Sequence, residues 1–187
     1  SAFFLPVVST TVAMAVVWEF LLHPSLGPIN GALILAGFAP QNFLGDADLV
    51  LPTLAAIAIW ENAGYNMVLF LSSLKSIPGE LYEAAWVDGA NRRQAFWSLT
   101  LPLLRPAIAY IMIMGIIGGW QIFNEPYILT NGGPSDSSLA LANYLYRVSI
   151  QNLRMGYGSA IGTVLFIFVF IVSIIQMRFF GVYSEEG

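Results

Sequence analysis

The chain has 187 residues, 57% of them hydrophobic and 10% charged, with net charge −4 and mean hydropathy +0.73. Ordinary globular domains carry about 25% charged residues, so the deficit points to a membrane protein. The small, scattered charge contains no Lys/Arg run and leaves no footprint for nucleic acid, while the absence of cysteine excludes disulfides, thiolate metal sites and cysteine nucleophiles.

A hydrocarbon layer of about 30 Å needs roughly 20 apolar helical residues. Taken in chain order, four segments reach that length: 3–22, 52–74, 107–123 and 158–177. Helices are expected because lipid cannot satisfy open backbone groups. The fold class predicted is therefore an all-α, polytopic transmembrane helix bundle, one transmembrane domain over 1–187. The chain starts with Ser inside a hydrophobic run, and we read it as lacking an N-terminal part. No basic region or small-residue cleavage site marks a signal peptide. The shorter apolar stretch 29–38 is too short to span and reads as interfacial or re-entrant.

Basic residues set the orientation. Lys75, Arg92, Arg93 and Arg105 lie between the second and third spans, and Arg178 follows the fourth; Arg147 and Arg154 fall on the other side. The loop 75–105 is thereby predicted to be cytoplasmic. Residues 124–157 form an outer segment in which "TNGGPSD" (130–136) is a loop, with Asn-Gly-Gly supplying positive-φ positions. "SLALANYLYRVSI" has helical spacing. Gly115/Gly119 and Gly158/Gly162 are small-residue pairs of the kind that let helices approach closely.

The loop 75–105 contains "EAAWVDGANRRQAFWSLTLPLL" (83–104), the longest stretch suited to water. Ser76 and Pro78 open a helix, Glu80 and Glu83 complement its dipole, Asp88-Gly89 breaks it, and Asp88 is available to cap a second helix carrying Arg92, Arg93, Phe96 and Trp97. Pro102 and Pro106 close it. Composition leaves two roles open: a hairpin lying in the headgroups, or a docking knob for a soluble partner.

Polar residues within the spans form the second constellation. Glu61 sits near the middle of 52–74, where a carboxylate costs on the order of 2.5–3.5 kcal/mol and should face the bundle interior or water. At 100° per residue Glu61, Tyr65 and Ser72 share one line, with Asn62, Asn66 and Ser73 beside it. At the end of 107–123, Trp120 and Asn124 are one turn apart, as are Gln121 and Glu125. Carboxylates, amides and rings suit a sugar's hydroxyls and C–H faces; interhelical hydrogen bonding is the alternative. The lone His23 offers no metal cluster, and no catalytic or phosphate-binding motif is present, so no metal, cofactor or catalytic residue is expected in this chain.

Glu83-Ala84-Ala85, three residues, Gly89, nine residues, then Leu99-Thr100-Leu101-Pro102 resembles the EAA signature of ABC importer permeases, with Leu99 where the pattern has Ile. The string "IPGELYEAAWVDGANRRQAFWSLTLPLLRP", with "LPVV", "PYILTNGGP" and "YGSAIG", is similar to carbohydrate permeases of the maltose-transporter class. The resemblance implies six spans in a complete core, of which four are visible here. It implies that Glu83, Ala84, Ala85, Asp88, Gly89, Leu101 and Pro102 form a coupling loop seated on a cytoplasmic ABC ATPase dimer that binds ATP and Mg. It also implies a second permease subunit, an extracytoplasmic solute-binding protein, a sugar substrate and a bacterial or archaeal inner membrane with its lipid. The competing readings are an ion-coupled secondary carrier with Glu61 as coupling acid, and the same machinery carrying glycerol phosphate or another polyol.

Overall fold

The computed structural model describes residues 5–180, and every regular element among them is helical. The elements are α1 (Leu5–Val8), α2 (Thr11–Leu21), α3 (Pro28–Leu35), α4 (Val50–Lys75), α5 (Gly79–Val87), α6 (Arg92–Ala95), α7 (Leu101–Leu103), α8 (Arg105–Trp120), α9 (Leu141–Tyr146) and α10 (Met155–Phe179). Wider π-helical turns occupy Phe96–Thr100, Pro126–Thr130 and Arg147–Gln151. Such turns are rare and tend to sit at functional or strained places.

Two helices are long and apolar enough to cross a membrane: α4, with 26 residues and a hydropathy of 1.3, and α10, with 25 residues and 2.6. α10 is apolar on all sides and exposes Val164, Phe166, Phe170 and Ile175. That is the signature of a helix surrounded by lipid or by other helices.

The first apolar segment departs from its expected single span. It breaks at Ser9–Thr10, and Thr10 turns its hydroxyl back to accept from the Ala13 amide (3.4 Å), starting α2 afresh. At 11 residues α2 alone is shorter than a bilayer core. Residues 3 and 4 of that expected span lie outside the described residues. The third segment also differs. A helical stretch Arg92–Leu103 meets Arg105–Trp120 at a 60° bend, and the two make a span only when taken together. Pro106 explains the bend: it has no amide hydrogen, and its ring crowds the carbonyl four residues back.

The chain divides into two compact units, one from Ser1–Gly64 with Gly119–Ile167, the other from Tyr65–Gly118 with Phe168–Gly187. In the first, Met14, Ala15, Leu22, Val50, Leu54, Ile57 and Val148 are buried, and α2 packs on the Pro126–Thr130 turn. The connection after α2 is fixed by Asn30, almost wholly buried. Its amide donates to the carbonyls of Gln41 (2.9 Å) and His23 (3.3 Å), and its oxygen accepts from the Gln41 amide (2.7 Å). The helix α3 occupies the stretch read as interfacial.

The outer segment of this unit is tied by polar contacts. Thr130 and Ser138 hydroxyls lie 2.7 Å apart, Ser138 donates to the Gly133 carbonyl (2.6 Å), and Arg147 donates to Asp136 (2.8 Å). The expected Asn-Gly-Gly positive-φ run is shifted. Asn131, Gly132, Ser135 and Asp136 take positive φ, and Gly133 does not.

Gly158 packs so closely on Ser149 that a Cβ there would overlap the Ser149 hydroxyl, and a Cβ on Gly162 would lie 3.2 Å from Leu145. Gly115 and Gly119 have open space instead. In the second unit Ala95, Thr100, Leu104 and Ala109 are buried.

Candidate functional site

The hairpin 79–104 belongs to the second unit and is built by three local devices. Pro78 precedes α5 in an extended conformation; the Ser76 hydroxyl instead donates to the Ser73 carbonyl (2.7 Å), serving α4. α5 then ends in a Schellman motif. The Gly89 amide bonds to Trp86 O (3.1 Å), the Ala90 amide to Ala85 O (2.9 Å), and Gly89 takes φ +80°. That left-handed conformation is the one glycine adopts without a Cβ penalty.

The second arm starts at Asn91, whose side chain accepts from the Gln94 amide (2.9 Å) while Gln94 accepts from the Asn91 amide (2.9 Å). This reciprocal pair is a capping box. It corrects the expectation that Asp88 caps the second helix. Asp88 is the C-cap of α5, its amide bonded to Ala84 O (3.0 Å). Three residues separate it from the first turn of α6, out of reach of that turn's amides.

Across the hairpin, Tyr82 Oη and Thr100 Oγ1 lie 2.8 Å apart. This clasp was not foreseen from the sequence: the two residues are 18 positions apart, and local periodicity does not link them.

The residues expected to couple fall on the hairpin as follows. Glu83, Ala84, Asp88, Gly89 and Pro102 are exposed, and Ala85 and Leu101 are half-buried. Nothing lies within 4 Å of a Cβ built on Gly89, so its glycine is required by backbone conformation and not by crowding within the chain. Around them Trp86 (55% exposed), Val87 (88%) and Trp97 (59%) are uncovered, and Phe96 stacks edge-on to Trp97. A rigid, capped turn carrying small residues, one carboxylate face and uncovered rings can seat against a complementary surface.

The pathway candidates are only partly brought together. Glu61 of α4 is half-buried, and its carboxyl interacts electrostatically with that of Glu125. Asn62 is exposed and turns back to its own helix, donating to Ala58 O (2.8 Å). In the second unit Tyr65 is exposed and interacts electrostatically with Tyr110; Asn66 is half-buried. Trp120, Gln121 and Asn124 are exposed. The expected one-turn spacing of Trp120 from Asn124 and of Gln121 from Glu125 is corrected, because α8 ends at Trp120, residues 121–123 leave the helix and helical turns resume only at Asn124. Among the described residues no group of three or more His, Asp or Glu is placed to hold a metal ion.

Comparison with known proteins gives consistent matches. Residues 1–181 match the profile of a family described as "Binding-protein-dependent transport system inner membrane component". The chain is 37% identical over 191 residues to the arabinooligosaccharides transport system permease protein AraP of Bacillus subtilis, covering 100% of this chain and 60% of that protein. It is 34% identical to the multiple sugar-binding transport system permease protein MsmF of Streptococcus mutans, covering 94% of this chain and 60% of that protein. Among solved structures it resembles a bacterial ABC transporter involved in the import of the acidic polysaccharide alginate, with TM-score 0.85 and 26% identity over 95% of this chain and 62% of that one. The chain therefore spans about three-fifths of the length of these relatives.

Proposed function

Because this chain belongs to the family of binding-protein-dependent transport system inner membrane components, we propose that it acts as one permease subunit of an ATP-driven importer whose cargo is a sugar. Its fold is the all-α permease bundle, and it is a multi-pass membrane protein. The remaining parts of the reading concern its partners. ATP is bound and hydrolysed, with Mg, on a separate cytoplasmic ATPase dimer. A second permease subunit completes the pathway, and an extracytoplasmic binding protein delivers the cargo.

The observation that carries this reading is the hairpin. Glu83, Ala84, Asp88 and Gly89 are presented together on a turn held by a Schellman motif, a capping box and the Tyr82–Thr100 clasp. A loop lying passively on lipid needs no such rigidity. A joint that transmits force does, because motion of the motor must reach the spans without being absorbed by the loop. The spans then exchange between two states that ATP and cargo favour differently. Glu83 supplies the charge for a basic partner on the motor, and the small Ala84 and Ala85 permit close seating. The sugar cargo is supported by the names of the relatives and by the carboxyl, amide and ring groups along α4 and at 120–125.

The ion-coupled carrier is the reading that the Glu61–Glu125 interaction favours. One experiment separates the two. The complete permease, with its partners, is reconstituted in vesicles, and uptake is measured with ATP present and the proton gradient collapsed. The importer reading predicts full uptake; the carrier reading predicts none, and uptake that persists without ATP but needs the gradient refutes the importer.

A further inference from the structure

Two Asn-Gly pairs occur in the chain, Asn30-Gly31 and Asn131-Gly132, both in the first unit. In such a pair the backbone nitrogen of the glycine can attack the asparagine side chain, because glycine has no Cβ to block the approach. The nitrogen gives up its proton and bonds to Cγ, the Cγ–Nδ2 bond breaks, and ammonia leaves, taking up a proton. Water then opens the cyclic imide at either carbonyl. The product is aspartate or, with the backbone rerouted through the side chain, isoaspartate. No oxidant or reductant takes part.

Asn30 is closed to this chemistry through its side chain, which is buried and bonded to both the amide and the carbonyl of Gln41. Asn131 is exposed, and its protection lies in the backbone. It sits at φ 48° and ψ 34°, the left-handed conformation that asparagine tolerates. At that ψ the Gly132 nitrogen lies nearly opposite Cβ across the Cα–C bond, turned away from Cγ, whereas ring closure needs the two on the same side. The peptide group between the residues is also gripped at both ends. Its N–H donates to the Pro126 carbonyl (3.1 Å), and its oxygen accepts from Arg147 Nη2 (3.3 Å), while Arg147 Nη1 is anchored on Asp136 (2.8 Å). The proton that must leave is engaged, and the rotation that would bring nitrogen to carbon breaks both bonds.

We propose that Asn131 is a latent deamidation site, kept intact by the clamp on its peptide group, with Arg147 as the positioning residue that sets how often the clamp opens. The reaction proceeds only from the locally opened loop, so its rate follows the opening equilibrium. Conversion adds a carboxylate to a loop where Asp136 already occupies Arg147, and isoaspartate lengthens the backbone between the bonded hydroxyls of Thr130 and Ser138. The site is separate from the hairpin and does not depend on what the protein carries.

The test uses the full-length permease in its assembled complex, incubated at mildly alkaline pH, with the same material unfolded in urea as reference. Peptide mapping by mass spectrometry reads the amide-to-acid mass gain at Asn30 and at Asn131 separately. In the folded complex both sites should convert at least about tenfold more slowly than in urea. Arg147→Ala should raise the rate at Asn131 by about fivefold, the effect of losing a part-exposed ion pair, and leave Asn30 unchanged. Conversion of Asn131 in the folded complex as fast as in urea overturns the proposal. So does an unchanged rate in Arg147→Ala, or an equal rise at Asn30 and Asn131, which marks general loosening and not the clamp. Arg147→Lys keeps a cation for Asp136 but loses the second arm of the fork, and it carries the same prediction where Arg147→Ala does not assemble.

Discussion

The Tyr82 hydroxyl lies 2.8 Å from the Thr100 hydroxyl, and this contact ties α5 to the π-helical turn of the hairpin's second arm. Thr100 is buried, while Glu83 and Ala84 next to Tyr82 are exposed, so the clasp joins the face proposed to dock to the part that leads into α8. A net hydrogen bond of this kind contributes about 1 kcal/mol. Tyr82→Phe and Thr100→Val should each lower thermal stability by about that amount and raise the ATP hydrolysed per sugar taken up. The double variant should cost less than the two separately, because both remove the same bond. Additive losses in calorimetry would show that the two side chains act independently.

Gly89 offers a sharper separation between backbone and contact. Its φ of +80° strains any residue with a Cβ, at roughly 1–2 kcal/mol. Asparagine tolerates that conformation better than most. Gly89→Val should therefore uncouple ATP hydrolysis from uptake while leaving the protein in the membrane, and Gly89→Asn should retain more coupling than Gly89→Ala. A greater loss for Asn than for Ala would mean that side-chain bulk at the proposed docking surface, and not φ, decides the outcome.

Gly158 and Ser149 make a contact with no room for a methyl group. Overpacking typically costs about 1–3 kcal/mol. Gly158→Ala should destabilise by that order in a thermal-shift assay, and Ser149→Gly in the same chain should restore part of the loss. Gly115→Ala meets open space within the chain and should leave the isolated subunit's melting temperature unchanged; a loss seen only in the assembled complex would mark a partner helix at that position.

The outer segment depends on Ser138, 2% exposed and bonded to both Thr130 and Gly133. Ser138→Ala strands the Gly133 carbonyl, while Thr130 keeps its bond to the Pro126 carbonyl (2.8 Å), and should cost about 1–3 kcal/mol. Arg147→Ala removes an ion pair whose partners are 31% and 63% exposed, and should cost under about 1 kcal/mol. Limited proteolysis between 130 and 140 reads both. Faster cleavage in the arginine variant than in the serine variant would invert the account.

How much of this was legible in the sequence follows the range of the interactions. α4 and α10 follow their apolar runs because apolar length is a local property. The bend between Leu103 and Arg105 follows from Pro106, although the sequence reading used that proline only as a boundary. The break at Ser9–Thr10 was hidden by the continuous hydrophobicity around it. The Asn91–Gln94 capping box was within reach, since an asparagine followed three positions later by glutamine is its signature; Asp88, beside a glycine, drew the assignment instead. The Glu61–Glu125 interaction and the Tyr82–Thr100 clasp join positions far apart in the chain, and one-dimensional periodicity carries no trace of either.

The central claim is tested most directly by position 88. These 187 residues contain no cysteine, so Asp88→Cys introduces a single thiol among them. In inside-out and right-side-out membrane vesicles carrying the assembled transporter, a short bifunctional crosslinker at that thiol should capture the ATPase subunit, with a yield that changes when ATP is added. Labelling of the thiol by an impermeant reagent in right-side-out vesicles, with no ATPase adduct in either orientation, would contradict the account.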